Sequence, residues 1–231
     1  MPNARDVWYY ISMSIRKTNL VQGEYYHIYN RGNSKQKIFH DKEDYLRFIS
    51  LLYISNSSES FNLYDLSRDI NFNVYEIERT NLLVSIGSYC LMPNHFHILV
   101  TEKVEGGISK FMQKLSTAYS MYYNKKYERT GGLFEGKFKS QHASTDRHLK
   151  YLFSYIHLNP IKLMQEDWKE RGIKNKKGAI DYLNRYLYSS YLDFVGEKRI
   201  QNKILNKEEF PKYFPGKTSF IKEIFEWLSL R

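Results

Sequence analysis

The sequence predicts an α+β fold: a ferredoxin-like two-layer sandwich with an antiparallel sheet, helices over one face, and a C-terminal helical elaboration. Three observations carry this. Segments with the two-residue period of strands and the 3.6-residue period of helices alternate in the order β, α, β, β, α, β, α. The two central strands are separated only by Pro93-Asn94, which has the length and chemistry of a tight antiparallel hairpin. Beyond about residue 165 the apolar clusters continue without a further strand signal.

Residues 1–23 read as a basic extension, and the first strand is Tyr25 to Asn30, closed by the turn-like Asn30-Arg31-Gly32-Asn33. A helix opens at Asp41 as N-cap and buries Tyr45, Phe48, Ile49 and Leu52. Residues 55–81 are polar and read as an insertion. Strands Leu83 to Met92 and His95 to Thr101 follow. After Gly106-Gly107 a second helix carries the stripe Ile108, Phe111, Met112, Leu115, Tyr119 and Tyr122, with Lys110, Lys114, Lys125 and Lys126 on its other face. Leu133 to Gln141 reads as a strand with a glycine irregularity. The last helix of the unit opens near Ser144-Thr145-Asp146 and lays Leu149, Leu152, Phe153 and Ile156 on the sheet. The two-layer unit is thus 24–164. The elaboration is 165–231, with Ile180 to Phe194, Phe210 to Phe214 and Phe220 to Leu228 helical or irregular.

Composition narrows the class of function. The 231 residues suffice for one domain plus an elaboration, and 42% apolar content supplies a core. No apolar run approaches the roughly 18 residues of a membrane span, and the short patch Val7 to Met13 lacks a cleavage site, so a cytoplasmic protein is expected. The single cysteine, Cys90, excludes an intrachain disulfide and a CxxC zinc knuckle, and reads as core. Lys and Arg number 35 against 25 Asp and Glu, a net charge of +10. With 21 tyrosines and 14 phenylalanines, that balance favours a polyanion whose unstacked bases can lie on aromatic faces.

The chemistry-bearing residues fall in two places. In His95-Phe96-His97, strand alternation sends both imidazoles to one face and Phe96 to the other, giving two-thirds of a metal site or simply two surface histidines. On the last helix, Tyr155 and Asn159 are one turn apart on one face, with Tyr155 roughly 110° from the centre of the buried stripe. Pro160 disfavours α geometry at Asn159, which predicts a helix end there and leaves either a free amide or a C-cap. Tyr151 and His148 compete for the same roles.

Three blocks, EYYHIYNRGNSKQKIF, CLMPNHFHILV and YIHLNPIK, together resemble the single-tyrosine HUH transposases, in particular the REP-associated tyrosine transposase branch, over about residues 24 to 195. The resemblance implies a ferredoxin-like nuclease fold acting on single-stranded DNA beside a hairpin. It implies His95 and His97 as paired metal ligands, Tyr155 as nucleophile, and Asn159 at a position that often holds Gln as third ligand. Asn is one methylene shorter. It further implies Mg²⁺ or Mn²⁺ and a 5′-phosphotyrosine with a free 3′-hydroxyl; some relatives exchange the tyrosine helix between subunits, so a homodimer is one candidate assembly, with no clear dimer surface in the sequence. Arg31, Lys110, Lys114, Lys137 and Lys139 are candidate phosphate contacts, each also readable as a solvated cation. Glu135 and Gln141 lie near the expected site without an assigned role. The rival readings are a catalytically silent binder of hairpin DNA or RNA, and a phosphoester hydrolase in which Tyr155 is structural.

Overall fold

The structure, a computed structural model, describes residues 19–59, 73–214 and 216–226. The patch Val7 to Met13, most of the 1–23 extension and the middle of the 55–81 insertion lie outside the described residues.

Four strands, β1 (Tyr25–Arg31), β2 (Val84–Met92), β3 (His95–Glu102) and β4 (Lys139–His142), form one sheet in the order β2-β3-β1-β4, antiparallel throughout. Helices α1 (Lys42–Ile54) and α2 (Gly107–Lys126) connect them in the β-α-β-β-α-β order of the predicted sandwich. Asp41 caps α1 by accepting from the Asp44 amide. Tyr26 and Ile28 of β1 and Phe96, Ile98 and Val100 of β3 meet Phe48, Leu52, Phe111, Leu115 and Tyr119 in the larger core between sheet and helices.

The hairpin strands continue that alternation with one interruption. Register shifts between Ile86 and Ser88, so Ile86, Tyr89 and Leu91 face one core while Cys90 and Met92 face the other. The extra residue is Gly87, whose missing Cβ leaves room for the Phe210 ring, 2.7 Å from where that carbon would be.

The fourth strand is shorter than the pattern predicts. Gly136 takes a left-handed φ of +67°, its amide turns back to Phe134 O, and only Lys139–His142 pairs continuously with β1. Leu133 to Phe138 instead crosses the end of β1, with a single bridge between Gly32 and Phe134.

Beyond the two-layer unit, the sheet's second face is also covered. Helix α3 (Asp146–Leu158), capped by Thr145 Oγ1 accepting from the His148 amide at 3.1 Å, packs Leu149, Leu152, Phe153 and Ile156 against Cys90, Met92 and Leu99. The helices therefore flank both faces rather than one, because α3 carries its own apolar stripe. Residues after 164 form short helices α4 (Trp168–Arg171), α5 (Lys176–Leu183) and α6 (Tyr191–Phe194), then α7 (Lys217–Glu226), with Trp168, Leu183, Tyr191 and Phe220 in a third cluster. They also close the free edge of β2: Leu91 N donates to Tyr188 O at 3.0 Å and Ser190 N to Tyr89 O at 2.9 Å. Among the described residues no helix is long and apolar enough to cross a membrane.

Candidate active site

Alternation on β1 and β3 places His27, Tyr29, His95 and His97 on the face opposite the larger core, where α3 lies. His95 and His97 meet edge to face with ring centroids 4.9 Å apart. The Tyr155 ring comes edge-on to His97 at 5.5 Å and to His27 at 6.0 Å. All of this is built within one chain.

His95 and His97 are each held through Nδ1. His95 Nδ1 lies 2.6 Å from Asn94 Oδ1 and must donate to it, since an amide oxygen only accepts. His97 Nδ1 lies 2.8 Å from His27 Nε2. His97 and His27 are 5% and 4% exposed, and the buried His97 Nε2 and His27 Nδ1 have no hydrogen-bond partner. Burial keeps the three rings neutral: His95 is pulled down to about 4 and His27 to about 3, while His97 falls well below 6.5, with the neighbouring rings adding to the effect.

Asn159 departs from the expected helix end in an informative way. The α-helix stops at Leu158, but Asn159 keeps α geometry (φ −53°, ψ −38°) and leads into a 3₁₀ turn, Asn159–Leu163. The amide therefore stays one helical turn above Tyr155 instead of swinging away. Burial raises the Tyr155 phenol, and Asn159 lowers it; the same amide raises His95. Its Nδ2 nevertheless completes no hydrogen bond of proper geometry. Lys169 of α4 stands over the Tyr155 ring, Nζ 4.4 Å from the centroid.

Tyr151 stacks on Tyr155 at 6.0 Å, and the His148 Nε2 lies 3.4 Å from Gln141 Nε2. Among the described residues no three His, Cys, Asp or Glu side chains gather to hold a metal. The donors on offer to a cation here are the His95 and His97 Nε2 atoms, the latter buried without a partner, and the Asn159 amide oxygen.

Beside His95 opens a cavity of about 560 Å³ lined by Arg31, Lys35, Lys139 and Lys162, with Glu166 the one carboxylate. Of the cations read from sequence, Arg31 and Lys139 line it. Lys137 is exposed on the loop before β4. Glu135, unassigned from sequence, holds Arg31 through a 2.6 Å ion pair. Lys110 and Lys114 are not brought to this site, because α2 lies across the sheet; Lys114 Nζ is bound by Ser57 O at 2.5 Å and by Glu59 O. Sequence reading missed His27, Lys35 and Lys162. For His27 a signal existed: it shares the phase of Tyr29 and Arg31 in a strand whose intervening Tyr26 and Ile28 are buried in the larger core.

The family described as Transposase IS200 like matches residues 20–159, more than half of the chain. The chain belongs to the IS200-like transposase family. This agrees with the single-tyrosine transposase resemblance of the three sequence blocks. Among solved structures, a REP-associated tyrosine transposase bound to a REP hairpin is similar at 13% identity and a TM-score of 0.44, over 82% of this chain and 90% of that one. A bacterial tRNA(His) guanylyltransferase-like protein in complex with ATP is similar at 11% identity and a TM-score of 0.35, over 81% and 78%. Comparison with curated proteins gave no match.

Proposed function

We propose that this IS200-like transposase cuts and rejoins single-stranded DNA through Tyr155, using a divalent cation held by His95, His97 and Asn159. One observation carries the reading: residues roughly sixty positions apart in sequence meet beside one sheet face, with the Tyr155 ring 5.5 Å from His97 and buried Asn159 one helical turn beyond Tyr155. Mg²⁺ or Mn²⁺ suits phosphodiester chemistry, and when bound it would neutralise charge on the non-bridging phosphate oxygens. Hairpin-bearing DNA is the ligand the sequence blocks imply.

Tyr155 would attack phosphorus as the phenolate. Its oxygen forms the new bond, the bond to the 3′ oxygen breaks, and that oxygen leaves as a 3′-hydroxyl after taking a proton. The products are a 5′-phosphotyrosine and a free 3′ end. Burial opposes the phenolate, so the site must offset that cost. The Asn159 amide lowers the phenol and Lys169 places positive charge over its ring. Neutral His95 and His97 keep lone pairs for ligation near neutral pH. Arg31, Lys35, Lys139 and Lys162 would seat neighbouring phosphates without reading bases.

Incubation with hairpin-bearing single-stranded DNA and Mn²⁺ should yield a denaturation-resistant protein–DNA adduct on a gel. Tyr155→Phe should abolish the adduct and leave DNA affinity within about twofold. Cleavage without an adduct would point to the hydrolase, and binding with neither to the silent binder.

A further inference from the structure

We propose that His27 is a positioning residue: by accepting a hydrogen bond from His97 Nδ1 it holds His97 in the tautomer that leaves the Nε2 lone pair free for a divalent cation. This rests on the reading of His95 and His97 as the cation-binding pair and names the residue that makes one of them competent.

The argument begins with counting protons. At 2.8 Å, His27 Nε2 and His97 Nδ1 share one hydrogen bond, which needs one hydrogen between them. If His27 Nε2 donates, the neutral His97 ring carries its own proton on Nε2 and cannot ligate through that atom. If His97 Nδ1 donates, His97 Nε2 is a bare acceptor and His27 carries its proton on Nδ1. Both arrangements leave two buried ring atoms without partners, His97 Nε2 and His27 Nδ1. A cation at His97 Nε2 satisfies one of these, and only in the second arrangement. The fold thus contains a two-state proton whose position the cation selects.

Three further features fix His27 in this role. It is 4% exposed and stacks on Tyr29 and His97, with centroids 5.0 and 4.9 Å apart, so its ring has little freedom to turn away. It sits on β1, hydrogen-bonded to β3 on one side and β4 on the other, which makes the platform rigid. The other imidazole is served alike: Asn94 Oδ1 accepts from His95 Nδ1, which turns the His95 Nε2 lone pair away from the hairpin. Two outer acceptors, one per ring, are what a pair of neutral histidine ligands requires.

The test uses the full chain and Mn²⁺ alone, with affinity measured by calorimetry and by loss of the free-ion paramagnetic resonance signal. His27→Ala should weaken Mn²⁺ binding by about 10- to 100-fold. His27→Gln, whose amide oxygen reaches a similar distance and accepts from His97 Nδ1, should recover most of the loss, which a mere cavity effect would not allow. In the unaltered protein, nitrogen NMR with a diamagnetic ion, Mg²⁺ or Zn²⁺, should show the proton of His97 on Nδ1 and the ion-induced shift on Nε2. Affinity unchanged in His27→Ala, with binding still lost in His97→Ala, would overturn this inference and leave the proposed site standing. A proton on His97 Nε2 in the ion-bound state would overturn it even if His27→Ala fails to fold. Absence of Mn²⁺ binding by the unaltered protein, or binding untouched in His97→Ala, would sink the proposed site together with this inference.

Discussion

At His157 the surroundings settle a tautomer without any ion. Nδ1 faces the Phe153 carbonyl at 2.8 Å and must donate, so Nε2 accepts from the Ser190 hydroxyl, also at 2.8 Å. The ring is fully buried and burial holds it down at about 3. His97 differs because its outer nitrogen faces no protein partner. A buried ring nitrogen without a partner calls for an explanation, which the proposed cation supplies. Both kinds of ring shape the response to acid. For His157 and His27 the folded pKa lies below the ordinary 6.5, so between about 3 and 6.5 the unfolded chain binds the extra proton. Their stabilisation is complete above 6.5 and declines as pH falls through that window, by at most about 1.4 kcal/mol per pH unit per ring. Urea midpoints should therefore drop between pH 7 and pH 5, and His157→Gln should flatten that drop while lowering the midpoint at pH 7.

Among the elements, β2 shows how one residue sets a whole strand. Its bulge at Gly87 changes which side chains face which core, and the Phe210 ring occupies the space a side chain would need. Gly87→Ala should cost about 1–3 kcal/mol in denaturant unfolding. Phe210→Leu in the same chain should recover part of this, a coupling that a double-mutant cycle would read. Helix α3 was legible in outline: an opening near Ser144-Thr145-Asp146, the stripe from Leu149 to Ile156, and Tyr155 with Asn159 one turn apart all follow from spacing. The 3₁₀ continuation past Leu158 was not, because a proline only biases the residue before it, and buried Ile161 holds the turn in place. The fourth strand was overextended for a similar reason: the pattern across Leu133 to Gln141 marked a glycine irregularity but not that Gly136 turns the backbone and leaves only Lys139–His142 in the ladder.

Over the whole molecule, the net charge of +10 divides into unequal parts. On α2 the cations face solvent or are consumed locally: Lys126 bridges Asp41, Glu43 and Asp44, and Lys114 is held by loop carbonyls. Lys139 and Lys162 instead face the cavity beside His95. Lys139→Ala and Lys162→Ala should each weaken single-stranded DNA binding and reduce the slope of log affinity against log salt by about 0.7, whereas Lys110→Ala should leave the slope unchanged. Composition and spacing by themselves determined a basic α+β protein, its hairpin, its core stripes and the local pairs His95 with His97 and Tyr155 with Asn159. These are short-range patterns, set by strand and helix periods that any reader of the chain can count. Which cations share a face with the histidines, and that His27 is hydrogen-bonded to His97, was decided only by β1 pairing with β3 and α3 lying on the far side of the sheet, because residues distant in sequence become neighbours only when strand order and register are set.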